Sequence, residues 1–282
     1  MESFTFKINE QEFHFSAQDS PEFKFGGDEV LSQNGSDIVF DQPWYEQGHT
    51  TVKFLEQDEF SLLKQGLTTC IQKIISEEIG VSTDGFELEN YHNYVKTDED
   101  HFKVVSRTRD LFPDDFNFSI IEVAKKLESF LGFELTDIDP KTNTKLHIII
   151  RINRPQSNDY NPPHKDIYEG VDSEDSYIPQ FINMWIPICG VTSNSSLPLA
   201  ESSHLFPESK ILRTTEGGKL GKNKYRVRMI KEWNGSNELT RAKINYGEVL
   251  LFSSHLVHGL AINNEEATTR VSLEFRLFKN NG

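Results

Sequence analysis

Leu146-His147-Ile148-Ile149-Ile150-Arg151-Ile152 marks the point where the chain changes character. Aliphatic and β-branched residues crowd this run, the composition of a strand with at least one buried face. Three later runs share it: Phe181-Ile182-Asn183-Met184-Trp185-Ile186-Pro187-Ile188, Val249-Leu250-Leu251-Phe252 and Val271-Ser272-Leu273-Glu274-Phe275-Arg276-Leu277. Turns bearing Gly and Asn separate them. Upstream, the spacing is helical. Residues 57–79 carry Phe60, Leu62, Leu63, Leu67, Cys70, Ile71, Ile74 and Ile75, which fall on one face of a helix. Residues 117–131 repeat that pattern with Ile120, Ile121, Val123, Ala124, Leu127, Phe130 and Leu131, and Gly132 is placed to end the helix. Residues 1–50 alternate Phe with polar residues (Phe4 and Phe6, Phe13 and Phe15, Phe23 and Phe25), which predicts short strands or extended arms. The whole predicts a mainly β fold with flanking helices: a β-sandwich or jelly roll with the helices on one outer face.

The chain has 282 residues, with no internal repeat and no Gly/Ser-rich linker. A single domain, 1–282, is therefore expected, with N-terminal strands and supporting helices over 1–140 and the strand-rich core over 145–278. The formal net charge of -15 argues against nucleic acid or an anionic membrane as a partner for the surface as a whole. It favours solubility and, mildly, neutral or cationic small substrates. Cys70 and Cys189 are the only cysteines, too few for a disulfide framework or a Cys-based zinc site. Met1-Glu2-Ser3-Phe4 has neither a basic nor an apolar leader character, and no apolar run reaches membrane length. A soluble protein of a reducing cytoplasm is expected. Nothing in the sequence sets an oligomeric state.

The chemistry is concentrated in a few positions. Read as a strand, His164-Lys165-Asp166 puts His164 and Asp166 on one face, behind a stiff Pro162-Pro163 entry. A second histidine follows the run at Val249–Phe252. His255 and His258 lie three apart, and His258 is favoured because Gly259 permits a close approach to a metal or cosubstrate. His255 is then a supporting or surface residue, and His204 a loop or rim residue. Two imidazoles and a carboxylate on one side of a metal form the facial set of non-haem Fe(II) oxygenases. Arg270-Val271-Ser272 on the next strand adds a cationic fork that could hold a dicarboxylate against that metal.

Gly247-Glu248-Val249-Leu250-Leu251-Phe252, His258-Gly259 and Arg270-Val271-Ser272-Leu273-Glu274-Phe275-Arg276 together resemble the Fe(II)/2-oxoglutarate-dependent dioxygenases, and within them the phytanoyl-CoA dioxygenase and ectoine hydroxylase group. Ser196-Leu197-Pro198-Leu199-Ala200-Glu201-Ser202-Ser203-His204 resembles a loop which that group writes with Gly-Pro-Leu and Gly-Ser-His; here Ser196 and Ser202 replace the two glycines. Arg151-Ile152-Asn153 resembles the ectoine hydroxylase pattern. The resemblance covers residues 145–278 and implies a double-stranded β-helix, the cupin-like jelly roll. It implies Fe(II) on His164, Asp166 and His258, with 2-oxoglutarate chelating through its 2-oxo acid group and O2 taking the last position. The far carboxylate of 2-oxoglutarate would meet Arg270, helped by Ser272. Trp185 and Asn153 would lie near the cosubstrate, and Arg276, on the same face by period two, is the alternative anchor. Arg151 would meet substrate or pair with a neighbouring acid.

The implied reaction is hydroxylation of a small-molecule metabolite with release of succinate and CO2. Related halogenases lack the carboxylate that Asp166 supplies. The alternatives are the same chemistry on a protein or peptide side chain and a non-catalytic metal- or ligand-binding β-barrel. Two flanking segments could shape substrate choice. Residues 165–180, with Asp166, Glu169, Asp172, Glu174 and Asp175, form a candidate acidic lid. Residues 210–231 are basic, and either bind an anionic group or form a solvated loop complementing the acidic remainder.

Overall fold

A computed structural model describes residues 2–17, 22–116, 118–168, 178–220 and 223–280. The acidic stretch 169–177 therefore lies outside the described residues. The chain opens with β1 (Glu2–Ile8), β2 (Gln11–Ala17), β3 (Phe23–Phe25) and β4 (His49–Lys53), and then turns helical. Helices α1 (Gln57–Ile79), α2 (Tyr91–Tyr94), α3 (Asp98–Thr108) and α4 (Ile120–Leu131) follow. Short strands β5 (Leu135–Thr136), β6 (Ile138–Asp139) and β7 (Thr144–Lys145) lead into β8 (Ile149–Asn153) and β9 (Phe181–Cys189). Then come β10 (Pro198–Leu199), β11 (Ile211–Leu220), β12 (Asn223–Trp233), β13 (Glu238–Arg241), β14 (Glu248–Ser253) and β15 (Arg270–Lys279). The fold is mostly β-sheet with helices, and among the described residues no helix is long and apolar enough to cross a membrane.

The central sheet runs β4-β14-β9-β15, and the far edge of β15 pairs with β8 near its start and with β5 near its end. Every pairing in it is antiparallel. Alternation decides what each face carries. Ile150 and Ile152 of β8, Met184 and Ile186 of β9, Val249 and Leu251 of β14 and Val271, Leu273, Phe275 and Leu277 of β15 join one buried cluster. Leu63, Leu67, Ile71 and Ile75 of α1 and Val123, Leu127 and Leu131 of α4 complete it. The helices thus cover one face of this sheet. Each such fully buried side chain contributes about 1.5–3 kcal/mol relative to exposure. Helix α1 starts on a reciprocal Glu56–Glu59 capping box and stops at Gly80 in the left-handed region, and Gly132 closes α4 the same way.

The other face of the central sheet looks onto a second layer. There β2-β1-β13-β10 form a sheet, as do β12-β11-β3. Two irregular segments join them. Gly259 N–H donates to the Pro198 carbonyl (3.2 Å) and Ala200 N–H to Val257 (2.8 Å). His164 and His258 exchange both backbone hydrogen bonds (2.9 and 3.1 Å), and Ile230 N–H donates to Pro163 (2.8 Å). Segments 161–166 and 256–260 therefore bridge β10 to β12. Trp185, Leu250 and Phe252 of the central sheet share an apolar cluster with Leu197, Leu199 and Leu256 of this layer, so the two layers face each other.

The basic stretch 210–231 is the β11–β12 hairpin with its lead-in. Its described residues belong to the second layer. Arg213 lies over the Tyr168 ring (4.4 Å), and Lys231 over the rings of Phe4 and Phe23 (5.9 and 5.4 Å).

Candidate metal centre and carboxylate pocket

His164 and His258 are held by their own segments. The Nδ1 of His164 lies 2.7 Å from the Pro162 carbonyl oxygen, and that of His258 lies 3.0 Å from the Leu256 carbonyl. A carbonyl only accepts, so each Nδ1 carries the proton and each Nε2 offers a lone pair. Both lone pairs converge on Asp166: His164 Nε2 is 3.7 Å from Oδ1 and His258 Nε2 is 3.6 Å from Oδ2. One donor atom from each residue lies within 4.8 Å of the other two, and this is the only such His/Cys/Asp/Glu group among the described residues. His164 forms an isolated bridge with His258, and Asp166 sits in a turn. A turn, rather than strand alternation, therefore brings His164 and Asp166 together.

The electrostatics suit a cation. Burial, and then the neighbouring His258, push His164 down to about 3, so its imidazole is neutral. Burial alone would raise Asp166; Arg276, His258 and His164 outweigh it and hold the carboxyl well below its usual range. Two imidazoles and one carboxylate, all but closed to solvent, are the donor set that non-haem Fe(II) takes.

Alternation puts Arg270, Ser272, Glu274 and Arg276 on the site face of β15. Arg151 and Asn153 of β8 are on the same face, as are Asn183 and Trp185 of β9. Arg270 is 1 % exposed. Its Nη2 donates to Asn153 Oδ1 (2.7 Å), its Nη1 reaches the Ser195 carbonyl (3.4 Å), and it lies 5.6 Å from the Trp185 ring. No carboxylate pairs with it among the described residues. Among the described residues, Arg270 Nε, Ser272 Oγ and Trp185 Nε1 are all buried without a hydrogen-bond partner. Burial pulls the guanidinium from 12.5 down to about 9. A buried cation ringed by unanswered polar groups is costly to keep, and an incoming carboxylate is the group that would satisfy it. One cleft is lined by His164, His258 and Gly259 and also by Arg270 and Asn153.

Other expected residues take definite places. Asn153 supports Arg270, and its amide also donates to the carbonyls of Asp159 and Ala261. Arg151 Nε pairs with Glu274 (2.8 Å) at the edge of the cleft. Arg276, the alternative anchor, donates instead to Asp166 Oδ1 (2.7 Å). His255 and His204 are 0 % exposed, which rules out a surface place for His255 and an open rim place for His204. Their Nε2 atoms meet the Ser36 carbonyl (3.2 Å) and the Tyr45 carbonyl (2.7 Å). Gly259, at φ +140, makes its close approach to protein backbone: an added Cβ would sit 2.4 Å from the Pro162 carbonyl oxygen. Ser202 keeps a left-handed φ of +62 and ties its hydroxyl to the Glu46 carbonyl (2.7 Å).

Sequence reasoning missed Asn183, whose amide donates to Asp166 Oδ2 (2.8 Å). The available signal was a lone carboxamide in an apolar run, one strand period before Trp185. It also missed a cavity of about 850 Å3 walled by α3, β8 and residues 14–16, which shares Arg151, Asn153, Asp159, Tyr160 and Asn161 with the cleft.

No family model and no curated protein matches the sequence. Solved structures do resemble it in overall chain course. EctD from S. alaskensis with 2-oxoglutarate and 5-hydroxyectoine is similar over 94% of this chain and 86% of its own, at 11% identity and a TM-score of 0.49. AviO1 from Streptomyces viridochromogenes Tue57 is similar over 90% of this chain and 98% of its own (15% identity, TM-score 0.47). EvdO2 from Micromonospora carbonacea var. aurantiaca complexed with 2-oxoglutarate is similar over 91% and 96% (12%, 0.46). Likeness at this level carries no residue roles across.

Proposed function

We propose that this chain is an Fe(II)- and 2-oxoglutarate-dependent oxygenase that hydroxylates a small molecule and releases succinate and CO2. The observation that carries this reading is the buried Arg270 guanidinium, with no carboxylate paired to it among the described residues, in the cleft lined also by His164 and His258, two of the three grouped donors. A metal site alone would fit many chemistries. A metal site next to an unanswered guanidinium fits a cosubstrate with two acidic ends.

In this reading His164, Asp166 and His258 hold the iron. Arg270, fixed by Asn153, takes the far carboxylate of 2-oxoglutarate, with Ser272 Oγ and Trp185 Nε1 as further donors toward the cosubstrate. Bound iron would supply the oxygen-activating chemistry, with O2 as the oxidant and 2-oxoglutarate giving up two electrons as it becomes succinate and CO2. The chain's own part is to orient the donors and keep water out. Neutral Nε2 atoms stay available because each Nδ1–H is committed to a carbonyl. The apolar cluster of Trp185, Leu197, Leu199, Leu250 and Phe252 dries the interior between the layers. The 850 Å3 cavity is of the size that small-molecule ligands occupy, and Arg151 stands where it meets the cleft. We read residues 1–282 as one domain, and the two facing layers over 145–278 as a double-stranded β-helix. Two free cysteines accord with a reducing compartment that keeps iron ferrous.

The test is anaerobic titration with Fe(II) and 2-oxoglutarate, watched for the visible charge-transfer band that a 2-oxo acid chelated to Fe(II) gives. The band is expected in the natural chain and lost in Asp166→Ala. Bound iron without the band would overturn the reading.

A further inference from the structure

Asn183 and Arg276 face each other directly across the β9–β15 ladder, and both point at the same carboxylate. Asn183 Nδ2 donates to Asp166 Oδ2 at 2.8 Å and Arg276 Nη2 to Oδ1 at 2.7 Å. A carboxylate has about four lone-pair directions. These two donors take one on each oxygen, from the side of the central sheet. The imidazoles stand off the same two oxygens at 3.7 and 3.6 Å. Asp166 itself rides on a turn, its amide tied to the Ser254 carbonyl (3.1 Å). Asn183 is 5 % exposed, lies opposite Phe252 across the β9–β14 ladder and shares its face of β9 with Trp185. A carboxamide in that place is unfavourable unless its hydrogen bond is made.

We infer that Asn183 and Arg276 are positioning residues: a cross-strand clamp that fixes the Asp166 carboxylate so that its remaining lone pairs meet the metal. This rests on the reading of His164, Asp166 and His258 as a metal centre. Asn183 sets the rotation by a neutral hydrogen bond. Arg276 completes the clamp from the more open side, where its guanidinium also covers the Phe181 ring (5.1 Å).

The experiment measures Mn(II) affinity by the electron paramagnetic resonance of free Mn(II), and Co(II) absorption as a probe of ligand geometry. Both are applied to the natural chain and to Asn183→Leu, Asn183→Ala, Arg276→Met and Arg276→Lys. Leucine keeps the branched shape of asparagine without a donor and alanine leaves room to spare, so the pair guards against a variant that fails to fold. Loss of a residue orienting a ligand typically costs 10–100-fold in metal affinity, and that loss is expected for both Asn183 variants, with an altered Co(II) spectrum and a thermal midpoint of the metal-free protein close to the parent's. Arg276→Lys should recover part of what Arg276→Met loses. Metal affinities within twofold of the parent in Asn183→Leu and Arg276→Met, with unchanged Co(II) spectra, would overturn the clamp and leave the metal centre standing. A natural chain that binds neither ion would instead remove the metal centre itself, and the clamp with it.

Discussion

Replacing Arg270 by methionine should make the ligand-free protein more stable and at the same time blind to 2-oxoglutarate. Burial holds this guanidinium down from 12.5 to about 9. At about 1.4 kcal/mol per pH unit, the charge costs the fold on the order of 5 kcal/mol. Methionine removes that cost and fills much of the same space. It also gives up the hydrogen bonds to Asn153 Oδ1 and the Ser195 carbonyl, and it leaves Asn153 half-satisfied, for a loss of about 3 kcal/mol. The balance is a gain of about 2 kcal/mol, within the range seen when buried ions give way to apolar residues. In a chain of this size that is a rise of roughly 4–8 °C in the unfolding midpoint. Binding runs the other way. Truncating one partner of a buried charged pair costs about 2–5 kcal/mol, or roughly 30- to 4,000-fold in affinity. Thermal unfolding of the Mn(II)-loaded proteins, with and without 2-oxoglutarate, reads both effects. Ligand at a hundred times its dissociation constant stabilises by about 2.7 kcal/mol; the natural chain should show this shift and Arg270→Met should not. A variant that is several kcal/mol less stable and still responds fully to 2-oxoglutarate would refute the assignment of Arg270 as a cation waiting for a carboxylate.

Other outcomes can be set down with their measurements. His258→Ala should abolish Mn(II) binding, whereas His255→Ala should keep it and lower the unfolding midpoint; the reverse pattern in calorimetry would exchange the two roles. His101 and His204 are each pushed from 6.5 down to about 4 by burial, so below pH 6.5 the unfolded chain takes up protons that the folded chain refuses. Stability should thus hold above pH 6.5 and fall between 6.5 and about 4, by on the order of 3 kcal/mol for each group. Equal urea midpoints at pH 7 and pH 4.5 would contradict this, and His101→Gln should flatten the slope. Gly259→Ala should cost at least about 1–3 kcal/mol from its backbone conformation alone, and it should weaken Mn(II) binding, because the added methyl pushes on Pro162, two residues from His164. Parent-like metal affinity in that variant would show that the two ligand segments can part without harm.

Helix α1 was legible because a long apolar stripe and a left-handed glycine stop do not depend on distant residues; the expected 57–79 is the observed span. The four apolar strand runs were legible for the same local reason. Helix α3 escaped notice: Asp98–Thr108 buries only Val104 and Thr108, too little for a periodic signal. The buried places of His204 and His255 escaped as well, because their partners are carbonyls of Tyr45 and Ser36 in a stretch with neither helical nor strand period. At the site, residue types pointed to the His164, Asp166 and His258 group that the structure brings together. The support of Arg270 by Asn153 and of Asp166 by Asn183 and Arg276 depends on cross-strand register, which no single strand encodes. The β11–β12 hairpin read only as a basic stretch because its cations mask the alternation beneath them.

The single strand β15 spells out the site every second residue: Arg270, Ser272, Glu274 and Arg276 turn inward while Val271, Leu273, Phe275 and Leu277 turn to the core. Such a strand behaves like a reading frame. An exchange at one position damages one role, but the insertion or loss of a single residue near Arg270 would send both guanidinium groups and the hydroxyl into the helices and bring valine and leucine to the His164–Asp166–His258 group. Descendants of this gene should accumulate substitutions along β15 more readily than length changes, and should place their length changes in the loops that flank it.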